Sequence, residues 1–521
     1  MILTATHRMR SYRRSRVYIL VIGACLSGCM TRPVTPSFTF NPYEIVTSSA
    51  RAHQTLLTGF LLGGEMAELA VVSLEGNDDR SLRIYAFSDD SWKPRLDRGL
   101  RPDVLFVDVA NIGGRDRLVT YEPGRLNWFD PKSGTEQELV AVTSNFNPPR
   151  SGEIPHVDVT RDVNGDDRDD LVAPDVDGFW VFIQLEGGRF ADPVKIGPST
   201  GTSVTIETDG YRYTPWDQGR VYEIDYNLDG RRDLVYWSDD HFKVHYQGQD
   251  GRFDPVAATF TTDVAFDSDD LTTLAAPHGL RQRRKDHMPT GALTGRVLHA
   301  LTDMNRDGVA DLGIFSLLGG DLWRMHVTYE VHFGTSTPHG VVFAPDVGAA
   351  IQLDGLLFGI EQHVFDHGGQ LGMTFRTLKP SMLKVASLIA GWFLTGSVPM
   401  DIQFYRMYDN AFPGKPNTSR KLKTYPGDSG EKTVWPSVLI GDVNGDRHSD
   451  LLVQHGWNEL RIYPGVPGPD LFAKRPQKVA VAMPKEEYTW LVDLNKDAKQ
   501  DVLIHHPSTT EPHRVMILMA Q

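Results

Sequence analysis

The sequence predicts an all-β fold, a β-propeller of seven or eight blades in which each blade is a four-stranded antiparallel sheet. Runs of a few residues, rich in β-branched and aromatic side chains, alternate with turns rich in Gly, Pro, Asn and Asp. An Asp-Asn-Asp figure recurs between these runs. Its units are about 50–75 residues long, which is typical of propeller blades. A closed ring also leaves no long sheet edge exposed.

Five copies of this figure carry the prediction. Each has the form Asp-x-Asn-x-Asp-x-x-x-Asp, with Leu or Val after the last Asp. The polar residues are Asp162, Asn164, Asp166 and Asp170; Asp225, Asn227, Asp229 and Asp233; Asp303, Asn305, Asp307 and Asp311; Asp442, Asn444, Asp446 and Asp450; Asp493, Asn495, Asp497 and Asp501. Strand-like runs flank the copies, so the figure is a strand-to-strand loop. This excludes an EF-hand, whose loop joins two helices and ends in a bidentate Glu.

Three weaker segments bear on the number of blades. Residues 61–72, the segment with Asp108 and Asp116, and the segment around Asp366 look like degenerate units without the ligand set. We expect no ion in these three segments. Counting all units makes eight blades, or seven if the Asp366 segment belongs to an insertion.

Two further features concern the layout of the ring. Residues from about 351 to 435 depart from the repeat, so we expect one irregular insertion there. The chain also ends one strand short of a complete last blade. Phe38-Thr-Phe or Tyr43-Glu-Ile-Val, near the other end of the chain, could supply that strand and close the ring.

The five loops resemble the FG-GAP/VCBS repeat family, which is related to the propeller of integrin α-subunits. The resemblance covers roughly residues 50–350 and 436–521. It implies a propeller fold in which the Asp-rich loop binds calcium between the first two strands of a blade.

The chemistry of the loop also favours calcium, with up to five ions bound. Calcium takes six to eight oxygen ligands in flexible geometry, and three carboxylates, one amide, one backbone carbonyl and water can supply them. Magnesium fits less well because it prefers a strict octahedron with several waters. The alternative is that the side chains only cap turns. We argue against it because three Asp within nine residues repel one another without a cation. The ions are expected to stabilise blades and to catalyse nothing.

The first 28 residues are expected to be a signal peptide, because five Arg precede a short apolar run, Val17–Leu26. That run is too short to span a bilayer. Leu26-Ser-Gly-Cys29 resembles the lipobox of bacterial lipoproteins, which implies lipidation of Cys29. Met30 favours the outer membrane in that family's sorting pattern. Residues 29–50 then form a tether and residues 51–521 the propeller.

Charge and cysteine content fit a protein of the cell envelope. The formal net charge is −14; without residues 1–28, which hold five Arg and no acid, it is −19. This balance disfavours nucleic acid, since phosphate binding requires a positive surface. The only cysteines are Cys25 and Cys29, so cleavage before Cys29 leaves no internal disulfide.

Catalytic motifs are scarce. Gly427-Asp-Ser-Gly430 resembles the nucleophile loop of trypsin-like proteases, but Glu431 stands where a further Gly is expected and no matching His segment exists. His505-His506 has no third ligand at a useful spacing and is expected at the surface. No HExxH, P-loop or Rossmann fingerprint is present. Five Trp could stack on sugars or belong to the core: Trp180, Trp216, Trp237, Trp323 and Trp457.

Two functions remain open at this point. The first is an interaction or adhesion module of the cell envelope that binds a protein or glycan partner. The alternative is a secreted propeller enzyme, such as a polysaccharide lyase or hydrolase, with its site on the ring or in the 351–435 segment. The absence of a nucleophile or acid–base motif favours binding, although fold alone does not separate the two.

Overall fold

The computed structural model describes most of the chain in segments, all within one compact unit, Ser37–Gln521. The described residues are 38–48, 53–74, 79–146, 148, 154–198, 212–238, 240–267, 293–319, 326–354, 356–364, 371–378, 397–425, 436–484, 488–508 and 511–521. The expected signal peptide and Cys29 lie outside these residues. Within them, no helix is long and apolar enough to cross a membrane.

Strands make up almost all of the regular structure. In the first half of the chain they are β1 (Phe40–Ser48), β2 (His53–Gly59), β3 (Glu68–Leu74), β4 (Arg80–Ser88), β5 (Ser91–Gly99), β6 (Phe106–Asn111), β7 (Asp116–Glu122), β8 (Arg125–Asp130), β9 (Thr135–Ala141), β10 (His156–Val157), β11 (Thr160–Arg161), β12 (Asp170–Asp175), β13 (Gly178–Phe182), β14 (Gln184–Leu185), β15 (Arg189–Phe190), β16 (Val194–Ile196), β17 (Arg212–Tyr213), β18 (Tyr222–Ile224), β19 (Asp233–Ser238), β20 (His241–His245) and β21 (Ala258–Phe260). A single-turn helix, α1 (Pro215–Gly219), precedes β18.

The second half continues the pattern without a helix in its described residues. Its strands are β22 (Leu293–Thr302), β23 (Asp311–Gly319), β24 (His326–His332), β25 (Gly334–Thr337), β26 (Gly340–Phe343), β27 (Ala349–Asp354), β28 (Leu356–Val364), β29 (Leu371–Leu378), β30 (Val398–Arg406), β31 (Thr418–Thr424), β32 (Val438–Gly441), β33 (Asp450–Gln454), β34 (Glu459–Tyr463), β35 (Gln477–Ala480), β36 (Thr489–Val492), β37 (Asp501–His506) and β38 (His513–Ala520).

These strands form a β-propeller with seven four-stranded antiparallel blades, as predicted, and one larger sheet of the same kind. In chain order we number them sheet 1 (β2–β5), sheet 2 (β6–β9 with β10 and β17), sheet 3 (β11, β12, β13, β16), sheet 4 (β18–β21), sheet 5 (β22, β23, β24, β27), sheet 6 (β28–β31), sheet 7 (β32–β35) and sheet 8 (β36–β38 with β1). Sheet 2 is six-stranded because β10 pairs with β6 in parallel and β17 pairs with β10 in parallel. The pairs β14–β15 and β25–β26 are small separate hairpins.

Burial explains why these segments become strands. The second strand of a sheet is apolar and buried along nearly its whole length, as in β12 and β33. Neighbouring sheets cover both faces of that strand, so a continuous apolar run is stable there. Strands farther out alternate instead; β34 has Leu460 and Ile462 inside and Glu459 and Arg461 partly exposed. This is the two-residue period of a sheet.

The core is divided among the seams between sheets. Eight apolar clusters each join two sheets that are consecutive in the ring. In one cluster, Leu452 of sheet 7 packs with Val502 of sheet 8. In the next, Leu503 of sheet 8 packs with Leu69 of sheet 1. The eighth seam thus joins the last sheet to the first, and the ring is closed.

The ring closes through the N-terminal strand, as the sequence predicted. Strand β1 pairs antiparallel with β38, from Phe40 opposite Ala520 to Val46 opposite Arg514. The segment Tyr43-Glu-Ile-Val therefore supplies the missing outer strand of sheet 8, and the expected tether of residues 29–50 needs correction because Phe40–Ser48 belongs to the propeller. Phe38 is buried in the seam between sheets 7 and 8.

The expectation of an irregular insertion from about 351 to 435 needs correction. The described residues of this segment hold all four strands of sheet 6, paired antiparallel in chain order. The Asp366 segment itself lies outside the described residues. The repeat pattern did not reveal sheet 6 because this sheet lacks the Asp-Asn-Asp figure. Its strand β31 nevertheless has the alternation of buried and exposed positions that is usual for a strand. Sheet 6 is thus one of the seven four-stranded antiparallel blades.

Candidate metal centres

The five Asp-Asn-Asp loops occupy equivalent places in five sheets. Each joins the first strand of a sheet to its second: β11 to β12, β18 to β19, β22 to β23, β32 to β33, and β36 to β37. First strands of neighbouring sheets contact one another, as β18 does β22 and β32 does β36. They surround the centre of the ring and follow the same up-and-down order. The five loops therefore lie at one face of the propeller, which we call the loop face.

Three backbone hydrogen bonds recur in every copy and fold the loop around its side chains. In the first copy, the Asp167 N–H donates to Asp162 Oδ2 (3.0 Å), the Asp166 N–H to Asn164 Oδ1 (3.1 Å), and the Arg168 N–H to Asp166 Oδ1 (3.1 Å). The corresponding distances in the other copies are 2.7–3.2 Å. The oxygens of the first, third and fifth loop positions are thereby gathered on the inside of one turn.

The sixth loop position takes the left-handed conformation in all five copies. The φ values are between +62° and +86° at Asp167, Gly230, Gly308, Arg447 and Ala498. Gly230 and Gly308 adopt this conformation without steric cost because glycine has no Cβ. Ala498 is the least suited of the five residues, since its Cβ is strained at positive φ.

The last Asp of each loop is fully buried and connects three parts of its sheet. The Oδ1 atom of Asp450 accepts the Gly465 N–H (2.8 Å), and Oδ2 accepts the Val443 N–H (3.1 Å). Equivalent pairs of bonds, 2.7–3.2 Å long, are made by Asp170, Asp233, Asp311 and Asp501. The carboxylate thus ties the loop to the end of the third strand or to the segment that follows it. Each carboxylate oxygen retains a further lone pair with which it could bind an ion. Ligation of an ion by these Asp residues stays a prediction.

Burial strongly perturbs these last Asp residues. Loss of water raises the pKa of Asp170 and Asp450 to about 7, and that of Asp233, Asp311 and Asp501 to about 6. Backbone N–H donors lower the pKa of each, and the other loop carboxylates raise it. A nearby cation would favour the charged form.

The donor set fits a hard cation in part. Carboxylate and amide oxygens are the ligands that calcium takes, and those of the first, third and fifth loop positions come together. Within the described residues, which include all five loops, no three His, Cys, Asp or Glu side chains are grouped as a metal site usually is. The Asn amide and backbone carbonyls would therefore be needed to complete a coordination shell.

A basic side chain at the seventh loop position, which the sequence analysis did not predict as a partner, lies beside a loop carboxylate in four copies. The guanidinium groups of Arg168 and Arg231 bind the carboxylates of Asp166 and Asp229. In the last two copies, His448 Nδ1 lies 3.4 Å from Asp446 Oδ1, and Lys499 Nζ lies 3.9 Å from Asp497 Oδ2.

The Asp303 copy differs from the other four. Its seventh position is Val309, which has no charge. The argument that clustered Asp residues require an added cation is therefore weaker for four copies, where a basic side chain is at hand. The argument applies unchanged to the loop with Asp303, Asn305 and Asp307, where no basic side chain stands at the seventh position.

The loops also connect neighbouring sheets. The Gln247 side chain of sheet 4 donates to the Asn164 carbonyl of sheet 3 (2.9 Å). The backbone N–H groups of Val341, Gln500 and Ala67 donate to the loops of the preceding sheets, at Tyr226, Asp442 and Leu494, over 2.7–3.1 Å. A cation that holds a loop in shape therefore also stabilises the seam beside it.

A second polar cluster lies on central strands of sheets 2 and 3 and was not predicted. His156 Nε2 lies 2.8 Å from Asp108 Oδ1, and Thr160 Oγ1 donates to Asp108 Oδ2 (3.1 Å). Arg212 pairs with Asp158 at 2.6 Å. These residues come from separate strands, so no spacing in the sequence could reveal them. The Thr160 hydroxyl bonds to Asp108 and not to the imidazole, an arrangement of satisfied polar contacts rather than an activated nucleophile.

The remaining sequence candidates are distributed as follows. His505 is fully buried, which corrects the expectation of a surface position; β37 is covered on both faces, so its residues are interior. Trp216 is buried in the seam between sheets 3 and 4, and Trp180 and Trp237 are partly buried against core clusters. Trp457 is 38% exposed. Residues 427–430 and Trp323 lie outside the described residues.

Comparison with known proteins adds the following. No protein-family model matches the sequence, and no curated protein matches it. Among solved structures, the chain is similar to the Vibrio cholerae biofilm matrix protein Bap1 (11% identity, 93% of this chain and 92% of that chain covered, TM-score 0.38). It is similar to an Agrocybe aegerita lectin that recognises non-reducing terminal N-acetylglucosamine (15%, 81% and 92%, 0.39) and to the WD40 domain of fission yeast SCAP (9%, 93% and 94%, 0.35). Likenesses this distant carry no argument about function.

Proposed function

We propose that this chain is a calcium-binding β-propeller lipoprotein that serves as an interaction or adhesion module for a protein or glycan of the bacterial cell envelope. The observation that supports it most is the repetition of one oxygen-rich loop, with the same three hydrogen bonds, in five sheets at one face of the ring. Catalytic residues would not need five equivalent copies. Structural ion sites, one for each sheet that they stabilise, would recur in this way.

The ions in this proposal act on stability. The side-chain oxygens at the first, third and fifth positions of each loop would hold calcium, and its charge would offset the repulsion among the carboxylates. The Asp303 copy is the strongest candidate, since Val309 cannot neutralise it. In the other copies calcium would compete with Arg168, Arg231, His448 or Lys499 for the loop carboxylate.

The envelope location in this proposal rests on the sequence alone. The lipobox-like segment before Cys29 would place a lipid anchor at the start of a short tether, with the ring beyond it. A partner could then be bound at either face or at the rim. The polar cluster around His156 supplies no activated nucleophile, which supports binding over catalysis.

Calorimetric melting tests the calcium part of the proposal. The midpoint should fall on addition of a calcium chelator and recover when calcium is restored in excess, because an ion that binds only the folded chain stabilises it. Magnesium at the same concentration should restore less. A midpoint that neither the chelator nor calcium moves would sink the proposal.

Membrane fractionation tests the anchor separately. Cys29→Ser should move the protein from the membrane to the soluble fraction without changing its melting midpoint. Unaltered membrane association in this variant would contradict a lipid on Cys29.

A further inference from the structure

One surface feature stands at the end of the ring opposite the loop face. Trp457 lies in the turn between β33 and β34, the second and third strands of sheet 7, whereas the Asp442 loop joins the first and second. Tyr425 directly follows β31, the outer strand of sheet 6. The two rings meet across the seam with centroids 4.6 Å apart and planes tilted by 35°. Two neighbouring sheets thus each contribute one aromatic ring to one platform, the Tyr425–Trp457 pair.

The platform is exposed and rigidly supported. Trp457 is 38% exposed, one of few large apolar side chains so open in the described residues. Its carbonyl accepts the Met483 N–H (2.9 Å), and the Gln454 side chain donates to the Gly456 carbonyl (3.1 Å) and to the Pro484 carbonyl (3.0 Å). The turn is fixed before any ligand arrives, so binding would lose little conformational entropy there. Rigid Trp and Tyr rings are efficient contact surfaces for this reason.

The other tryptophans noted in the sequence do not share this arrangement. Trp216 is 2% exposed. Trp180 is partly buried and already has Lys195 Nζ 5.0 Å from its ring centroid, and Trp237 packs against Phe242 and Phe266. Each of these rings is already covered by its own sheet or seam. Trp457 is the one with an open face among the four that the structure describes.

The charge around the platform opposes that of the protein as a whole. Arg461, Lys423 and Lys478 lie near His455 at the base of the turn, against the single acid Glu459. Glu459 is already shared, at 2.7 Å from Arg461 Nε and 3.6 Å from Lys478 Nζ. Lys423 is exposed and makes no ion pair with a described residue. An excess of positive charge beside open aromatic rings is notable in a chain of net charge −14.

We propose that the Tyr425–Trp457 pair, with Lys423 beside it, binds an acidic glycan that contains uronic acid residues. The flat C–H face of a pyranose ring would stack on Trp457, and the sugar carboxylate would pair with Lys423. This inference rests on the proposed binding function and names the ligand class. A neutral glycan would leave the lysine unused, and a protein partner would need a larger apolar surface than one pair of rings provides.

Calorimetric titration of the purified protein with a short oligogalacturonate, and with its uncharged methyl ester, tests the inference. We expect binding of the acid that weakens with added salt, and weaker binding of the ester. Trp457→Ala should weaken binding of the acid by about tenfold or more, as for a central aromatic contact. Tyr425→Ala should weaken it less. Lys423→Glu should weaken binding of the acid but not of the ester.

Tyr408→Ala is the matched control. Tyr408 is 69% exposed and lies in the connection from β30 to β31, at the opposite end of sheet 6 from Tyr425. This variant should bind like the unaltered protein. Lys423→Glu keeps the test valid even if Trp457→Ala folds poorly, because it changes only an exposed side chain.

Several results would overturn the inference: no binding of either oligosaccharide, unaltered binding by Trp457→Ala, or equal binding of acid and ester with no effect of Lys423→Glu. Capture of an envelope protein that Trp457→Ala abolishes would overturn it too, in favour of a protein ligand. None of these outcomes alters the effect of a chelator on the melting midpoint, so failure here is distinct from failure of the calcium proposal.

Discussion

In the proposed calcium sites, the five buried Asp residues that end the loops should make the effect of calcium depend on pH. Burial raises the pKa of Asp450 from 3.8 to about 7 in the folded chain. The folded chain therefore binds a proton more tightly than the unfolded chain. The stabilisation from that proton is fully present below about pH 4 and is lost as the pH rises through 7.

The size of the effect follows from the pKa values. One pKa unit corresponds to 1.36 kcal/mol, so the contribution of Asp450 falls by about 3 kcal/mol between pH 5 and pH 7.5. Asp170, whose pKa is also raised to about 7, should behave alike. The pKa values of Asp233, Asp311 and Asp501 are about 6, so the contribution of each to the free energy of unfolding falls by about 1 kcal/mol over the same pH range. Calcium in the loop would offset the charge of the ionised carboxylate and so recover part of this loss.

Buried histidines change the stability of the fold with pH in the opposite direction, so their contribution must be separated from that of the buried Asp residues. Burial lowers the pKa of His299 and His505 to about 3. Since their pKa is depressed on folding, their contribution is lost as the pH falls below 6.5. This does not involve calcium, and it cancels when stability with calcium is compared with stability in chelator at the same pH.

Urea unfolding in chelator and in excess calcium, at pH 5 and at pH 7.5, measures the difference. The stabilisation by calcium should be larger at pH 7.5 than at pH 5 by several kcal/mol, because at pH 5 protons already neutralise the buried carboxyls. An equal or larger calcium effect at pH 5 would refute the reasoning. It would mean that the buried Asp residues are not coupled to the ion.

Other changes test the parts of the loop and the ring. Asp307→Asn should reduce the calcium-dependent gain in melting midpoint more than Asp229→Asn does, because Arg231 already neutralises Asp229; equal losses would contradict a role for the basic side chain at the seventh position. Val309→Arg should raise the midpoint in chelator and shrink the gain from calcium, with Val309→Leu as the control that adds no charge. Deleting residues 38–48 removes β1 and exposes the edge of β38, so the midpoint should drop and aggregation increase; an unchanged midpoint would show that the ring does not depend on this closure.

Much of the propeller was predictable because its repeat carries a chemical signature. Asp, Asn and the left-handed sixth position recur for a physical reason, and the loop marks the junction of first and second strands wherever it occurs. The closing strand at Tyr43 was predictable because the chain ended one strand short. Sheet 6 was left undecided between a blade and an insertion because strand pairing needs only alternation of buried and exposed residues, which is a weaker signal than a ligand pattern.

The side-chain contacts could not be predicted in the same way. Whether Arg168 points away from its loop or back to Asp166 depends on the turn geometry, and residue type alone does not decide it. The pairing of Asp108 with His156 joins residues 48 positions apart, on parallel strands of sheet 2. The exposure of Trp457, in contrast to Trp216, depends on which seam each ring meets.

The basic side chains at the seventh position imply that the loops are not equivalent in the intact ring. In sheets 3 and 4 a guanidinium group covalently attached to the loop neutralises the carboxylate at all times. In sheet 5 the corresponding carboxylate is Asp307, and the seventh loop position, Val309, carries no charge. Calcium would therefore act most strongly on the loop of sheet 5, while its neighbours in sheets 3 and 4 keep their shape without it. A repeat that looks uniform in its ligands is thus divided, by one variable position, into four loops with a basic side chain beside them and one without, which we expect to respond most to the ion.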